Sequence, residues 1–120
     1  MSIKNEFEGF ANLIKQGKTL EAIDRYFDDN VIQRENGTTI EGKLKLRHDE
    51  EIKLGRVTSL GIEVRDVVIE EVRQMVWGEM SLTFNSKTAG LLKLNEAFYQ
   101  KWKDGKVLEQ RFYYKQVEKG

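Results

Sequence analysis

Ile3, Phe7, Phe10 and Ile14 recur at intervals of three and four, so the chain opens with the apolar face of an amphipathic helix. Gly17 suits the stop of that helix, and Thr19 offers a side-chain oxygen to cap a second one with Leu20, Ile23 and Phe27 as its buried stripe. Asp28-Asp29-Asn30 ends the second helix, because short polar side chains compete for the backbone. Val31 to Arg34 then predicts a short strand, Asn36-Gly37 a turn, and Thr38 to Ile40 a second short strand. A third helix is predicted over residues 42–55, with Leu44, His48 and Ile52 on the face turned to the core.

Beyond residue 57 the apolar period becomes two and stays there. The runs SLGIEVRDVVIEE, VRQMVWGEMSLTFN, LLKLNEAFYQKWK and VLEQRFYYKQV predict long strands, against a usual length of roughly 5 to 6 residues. Long neighbouring strands twist and curl, and Gly78 inside the second run invites a bulge that sharpens the bend. Helices followed by strands predict one α+β domain over residues 1–120. In it the N-terminal helices pack on a strongly curved antiparallel β-sheet. Where the sheet curves more than the helices can fill, a cone-shaped pocket remains, and that is the default site.

The final hairpin decides which side chains face the pocket. A three-residue loop at Lys103-Asp104-Gly105 sets residue 98 opposite 110 and 96 opposite 112. Leu94, Glu96, Phe98, Gln100 and Trp102 then share a face with Leu108, Gln110, Phe112 and Tyr114. A two-residue Asp-Gly turn shifts the pairing by one and turns the second set away. The first register gathers more apolar surface on one side. Trp77, Tyr99 and Tyr113 fall on the other face, where aromatic exposure marks an interface and predicts a homodimer through the sheet.

Composition removes several classes of function. Lys plus Arg equals Asp plus Glu at 20 each, so nothing marks the chain for nucleic acid or an acidic membrane. There is no cysteine, hence no disulfide or thiolate chemistry, which fits a reducing cytoplasm. No apolar run is long enough for a membrane span, and the interrupted N-terminus is no signal-peptide core. One histidine excludes a His-rich metal cluster, and no glycine-rich phosphate loop is present, so neither metal nor cofactor is expected.

Glu96 is the leading chemical candidate. A carboxylate between Leu94 and Phe98 on an inward row loses solvation, which raises its pKa and fits it to give or take a proton near neutral pH. Gln100 and Gln110 would orient a ligand or bond the carboxyl. The plainer alternative pairs Glu96 with Arg111 or a lysine at a subunit interface. His48 is a second catalytic candidate, against the commoner packed core histidine. Tyr26, at the end of the second helix, points its hydroxyl to the cavity mouth or simply packs.

The order of elements, with RYFDDNVIQRENGTTIEGK (residues 25–43) and WKDGKVLEQRFYY (residues 102–114), resembles the nuclear transport factor 2-like superfamily. Within it the likeness is to small SnoaL-like proteins related to polyketide cyclases and ketosteroid isomerases. The resemblance implies the fold and a dimer more than an activity, since this superfamily includes enzymes, ligand binders and association domains. The positions of the isomerase tyrosine, base and protonated aspartate are Phe10, Arg34 and Phe98 here, and the cyclase acid falls at Phe112. None of these supplies the family chemistry. Related proteins keep polar pocket residues where Gln33, Arg34 and Glu35 lie. Glu35 replaces the missing base if a bulge shifts the register by one; otherwise it is a surface charge. The expectation is a small, largely apolar ligand held by Tyr26, Gln33, Glu35, Phe98, Gln100, Gln110, Phe112 and Tyr114. Glu96 and His48 would supply acid–base chemistry, and the alternative is a non-catalytic homodimeric association module.

Overall fold

The computed structural model describes residues 2–114 and the backbone of 118–119. Helix α1 (Ile3–Lys15) buries Ile3, Phe7, Phe10 and Ile14 as the spacing predicts, together with Ala11 and Leu13. It ends in a Schellman motif: Gly17 takes a φ of 77°, its N–H bonds Ile14 O, and Lys18 N–H bonds Leu13 O at 2.9 Å. Helix α2 (Thr19–Tyr26) follows at once. Thr19 is its first residue and not its cap, and Thr19 Oγ1 has no partner among the described residues. Phe27 is buried as expected, but it opens β1 (Phe27–Glu35), so the Asp28-Asp29-Asn30 run lies in a strand rather than at a helix end. Asp28 still engages the backbone, its Oδ1 accepting from Asn30 N–H at 2.8 Å.

After β2 (Thr38–Glu41), helix α3 (Lys43–Leu54) turns a different face to the core from the one predicted. Leu44 is 84% exposed and Ile52 45%, whereas Leu46 is 1% exposed. Leu46, Glu50, Lys53 and Leu54 line the interior, at helical spacings of four, three and one. The helix carries too few apolar residues for its pattern to choose a face, and packing against the sheet chooses it instead.

Strands β3 (Val57–Glu70), β4 (Met75–Ser86), β5 (Gly90–Lys103) and β6 (Lys106–Tyr113) form the long sheet, with β7 (Glu118–Lys119) on β5. Residues 115–117, expected to continue the last strand, lie outside the described residues. The spatial order is β2-β1-β6-β5-β4-β3. The sheet is mixed rather than wholly antiparallel, because β1 runs parallel to β6. No helix among the described residues is long and apolar enough to cross a membrane.

Of the register shifts in this sheet, two within the long strands reset which residues face inward. In β3, Arg65 pairs with Glu79 and Val68 with Trp77, so Asp66 and Val67 together oppose Gly78, and Asp66 has a φ of 53°. The bulge expected at Gly78 therefore sits on the neighbouring strand. Inward parity changes across it, from Leu60, Ile62 and Val64 to Val67 and Ile69. Gly78 keeps regular pairing with Phe98 and leaves room for its ring, which stacks on Phe7 with centroids 6.0 Å apart.

The second bulge corrects the final hairpin. Its turn is the two-residue Asp104-Gly105, with φ of 51° and 75°, a conformation that matches the twist of the strands. Lys101 pairs with Glu109 and Trp102 with Val107, leaving Leu108 as an extra residue. Phe98 thus faces Phe112 and Gln100 faces Gln110, two residues away from the expected partners. The bulge restores Gln110 and Phe112 to the face of Glu96, which the two-residue turn alone would have reversed.

A methyl group at Gly78 would meet Phe98 Cζ at 2.7 Å and Val67 Cγ2 at 3.2 Å, whereas one at Gly61 meets only Thr83 O at 3.7 Å. Gly78→Ala is therefore expected to lower unfolding stability by about 1–3 kcal/mol, with Gly61→Ala close to wild type. Urea unfolding of the pair checks this, and equal stability of both variants would refute the packing described.

Candidate functional site

The concave face of the sheet and helices α1–α3 enclose a cavity of about 400 Å³. Its walls are apolar along α1 (Phe7, Phe10, Ala11, Ile14) and along the long strands (Leu60, Ile62, Val64, Met80, Leu82, Phe84, Leu94). Polar groups enter from two sides. Gln33, Gln100, Gln110 and Glu96 project inward from the sheet, while Glu35, Glu50, Lys53 and Arg56 form a charged margin.

Inward projection of β5 follows from strand alternation: Glu96, Phe98, Gln100 and Trp102 are all buried and the residues between them are not. Met80 is the cross-strand neighbour of Glu96 in β4. Its carboxyl finds no hydrogen-bonding side chain among the described residues, and Arg111, the alternative partner, pairs with Glu109 instead. Burial first, then the nearby Glu35 and Glu50, push Glu96 up to about 8, with Lys53 opposing. Glu96 is therefore largely a neutral acid at pH 7.

The neighbouring charges explain each other. Lys53 Nζ lies 3.3 Å from Glu35 and 3.1 Å from Asp49. Burial disfavours its ammonium form, but Glu35, Asp49 and Glu50 outweigh that and hold its pKa above the usual lysine value. Burial raises Glu50, with Lys53 opposing and Asp49 and Glu35 reinforcing the rise. Tyr114 is likewise raised, by burial and then by Glu35.

The buried amides form a single chain. Trp102 Nε1 donates to Gln100 Oε1 at 3.0 Å, Gln100 Nε2 to Gln110 Oε1 at 2.6 Å, and Gln110 Nε2 to Gln33 Oε1 at 2.9 Å. A glutamine row that would be costly in an apolar wall is thereby satisfied from within as far as Gln33 Oε1.

Of the predicted residues, Glu96, Gln33, Glu35, Phe98, Gln100, Gln110, Phe112 and Tyr114 all line this cavity. Glu35 does so by alternation with Gln33 and Val31, while Arg34 points out to Glu109; the register shift of β1 against β6 lies just before them, between Phe27 and Ile32. Two predicted residues lie elsewhere. His48 is exposed on the outer side of α3, a consequence of the helix face described above. Tyr26 packs edge-on against Phe10 and Trp102, with its hydroxyl where a side chain on Gly9 would begin, and does not reach the cavity. Glu50, Lys53 and Arg56 were not foreseen. The spacing of Leu46, Glu50 and Leu54 at steps of four carried the signal for the first two. Among the described residues, no three His, Asp or Glu side chains converge as a metal site.

This arrangement of short helices on a bent sheet recurs in solved structures. A Mesorhizobium loti protein assigned as a SnoaL-like polyketide cyclase superposes with a TM-score of 0.80 at 23% identity, covering 95% of this chain and all 100% of that one. A nuclear transport factor 2-like protein of unknown function from Exiguobacterium gives 0.73 at 11% identity, covering 96% and 99%. The chain has the nuclear transport factor 2-like fold. An LEH-like epoxide hydrolase of M. tuberculosis also shares this nuclear transport factor 2-like architecture, with a TM-score of 0.75 at 15% identity over 92% of this chain and 76% of that one. No protein-family model and no curated protein matches the sequence.

Because Glu96 titrates higher folded than unfolded, the unfolded chain ionises first as pH rises. Stability should fall between the ordinary carboxylate range near 4.5 and about 8, then level off. Glu96→Gln removes that slope, so it should be stabilising above pH 8 by up to about 5 kcal/mol and near neutral in effect at pH 4. Thermal unfolding of both proteins from pH 4 to 9 checks this; parallel curves would place the Glu96 carboxyl in contact with water.

Proposed function

We propose that this chain binds a small, largely apolar molecule in the helix–sheet cavity, and that Glu96 exchanges a proton with it. The observation that carries this reading is a buried carboxyl, without a side-chain hydrogen-bond partner among the described residues, facing an apolar space of ligand size. In its neutral form Glu96 can protonate a carbonyl, epoxide or leaving-group oxygen; once ionised it can remove a proton beside a carbonyl. Cyclase, isomerase and hydrolase-type reactions all turn on such transfers. The cyclase and epoxide hydrolase named among the similar folds support that class and no particular substrate. The acid would work from a position other than Phe10, Arg34, Phe98 and Phe112, and without His48.

A thermal-shift screen of steroids, polyketides and fatty acids tests the binding. A neutral ring compound is expected to raise the melting temperature of the wild type and not of Leu82→Trp, whose indole occupies the cavity. For the best compound, Glu96→Leu should weaken binding by about tenfold, the worth of one strong hydrogen bond. Unchanged affinity in Glu96→Leu would remove that residue from the site.

A second, compatible reading is self-association through the convex face. Val68, Trp77 and Tyr113 stand 60%, 39% and 55% exposed there, beside Tyr99 and Arg111. Sedimentation should give a dimer for the wild type and a monomer for the Trp77→Lys, Tyr113→Lys double variant. A wild-type monomer at high concentration rejects it. The lack of cysteine supports a cytoplasmic setting.

A further inference from the structure

The amide chain has a direction, and one residue outside the cavity sets it. An indole Nε1 can only donate, so Gln100 must turn its Oε1 toward Trp102. That leaves Gln100 Nε2 to donate to Gln110 Oε1, and Gln110 Nε2 to donate to Gln33 Oε1. Each amide orientation is dictated by the one before it, which removes the usual ambiguity of oxygen and nitrogen in glutamine. At the end stands Gln33, 5% exposed, lining the cavity with an Nε2 group that has no acceptor among the described residues. Donors aligned in one sense polarise one another, so this terminal N–H is a stronger donor than a lone amide.

The surroundings select the kind of acceptor. Glu35, the next inward residue of β1 after Gln33, lines the same cavity; Lys53 beside it is already engaged by Glu35 and Asp49, and Arg56, the other cation of the lining, stands exposed at the margin. An anionic acceptor at Gln33 would meet Glu35 with its neighbouring cation already taken, whereas a neutral oxygen would not.

We infer that the Trp102–Gln100–Gln110–Gln33 chain makes the cavity selective for a neutral ligand bearing a carbonyl oxygen, a ketone or ester, which accepts from Gln33 Nε2. The inference rests on the cavity being a ligand site. Gln33 is the contact, and Trp102 is a positioning residue that acts through the two glutamines between them. Replacing Trp102 by Phe frees Gln100 to rotate and lets the chain run in either sense.

Calorimetric titration with tetralin, 2-tetralone and tetralin-2-carboxylate separates these ideas. The wild type should bind the ketone roughly fivefold or more tightly than the hydrocarbon, and the carboxylate more weakly than the ketone. The ketone-to-hydrocarbon ratio should fall toward one in Trp102→Phe and in Gln33→Met, while Trp102→Phe keeps its affinity for tetralin. The carbonyl stretch of bound 2-tetralone should shift to lower wavenumber in the wild type and lose that shift in Gln33→Met. If Trp102→Phe does not fold, Gln33→Met decides alone. Equal binding of ketone and hydrocarbon by the wild type, or a ratio untouched in Gln33→Met, overturns the inference and leaves the ligand site standing. Binding of neither by the wild type overturns the ligand site and the inference with it.

Discussion

Everything in this molecule depends on a mismatch of curvature. Long strands bulged at Asp66–Val67 and at Leu108 bend more sharply than three short helices can follow. At one end the gap is closed by aromatic packing: Phe98 lies over Gly78, Phe7 stacks on Phe98, and Phe10 meets Phe27, Tyr26 and Trp102. Toward the other end no ring pairs with another among the described residues, and Leu60, Leu82, Phe84 and Leu94 line open space. A well-packed interior would have excluded polar side chains. A partly hollow one tolerates them where they satisfy each other or face the void.

The same bulges determine the electrostatics. With Leu108 looped out, Gln110 returns to the inward row and meets Gln100 across the strands. With β1 parallel beside β6, Gln33 comes level with Gln110. The amide chain thus crosses three strands, and it exists only because a register shift and a parallel pairing coincide. Glu96 lies beyond that chain and is left to its desolvated surroundings, which is why its proton is held so firmly.

Much of this was legible along the chain where neighbours in sequence decide the outcome. The helical spacing of Ile3, Phe7, Phe10 and Ile14, the glycine stop at Gly17 and the alternation through Glu96, Phe98 and Gln100 are local patterns that tertiary packing had no reason to override. Helix α3 is the opposite case, because its apolar residues are too few for spacing to choose a face. Leu44 and Ile52 stand exposed while Leu46 is buried, and His48 went outward with them. Tyr26 was equally undetermined, since a helix-terminal tyrosine packs or reaches a cavity according to what lies across from it; the bare Cα of Gly9 supplied the space.

By itself the sequence determined an α+β domain of front helices and long back strands, the inward row of β5, and a carboxylate set among apolar neighbours. These depend on periodicity and on side-chain chemistry, both of which travel with the chain. Only the tertiary structure decided the strand partners, the parallel placement of β1, and the joining of Trp102, Gln100, Gln110 and Gln33 into one chain. The facing of Gln110 and Phe112 turns on a single residue, Leu108, inserted in a ladder. That insertion changes the facing of all that follows it, yet leaves no mark in VLEQRFYY, where polar and aromatic residues occur on both faces.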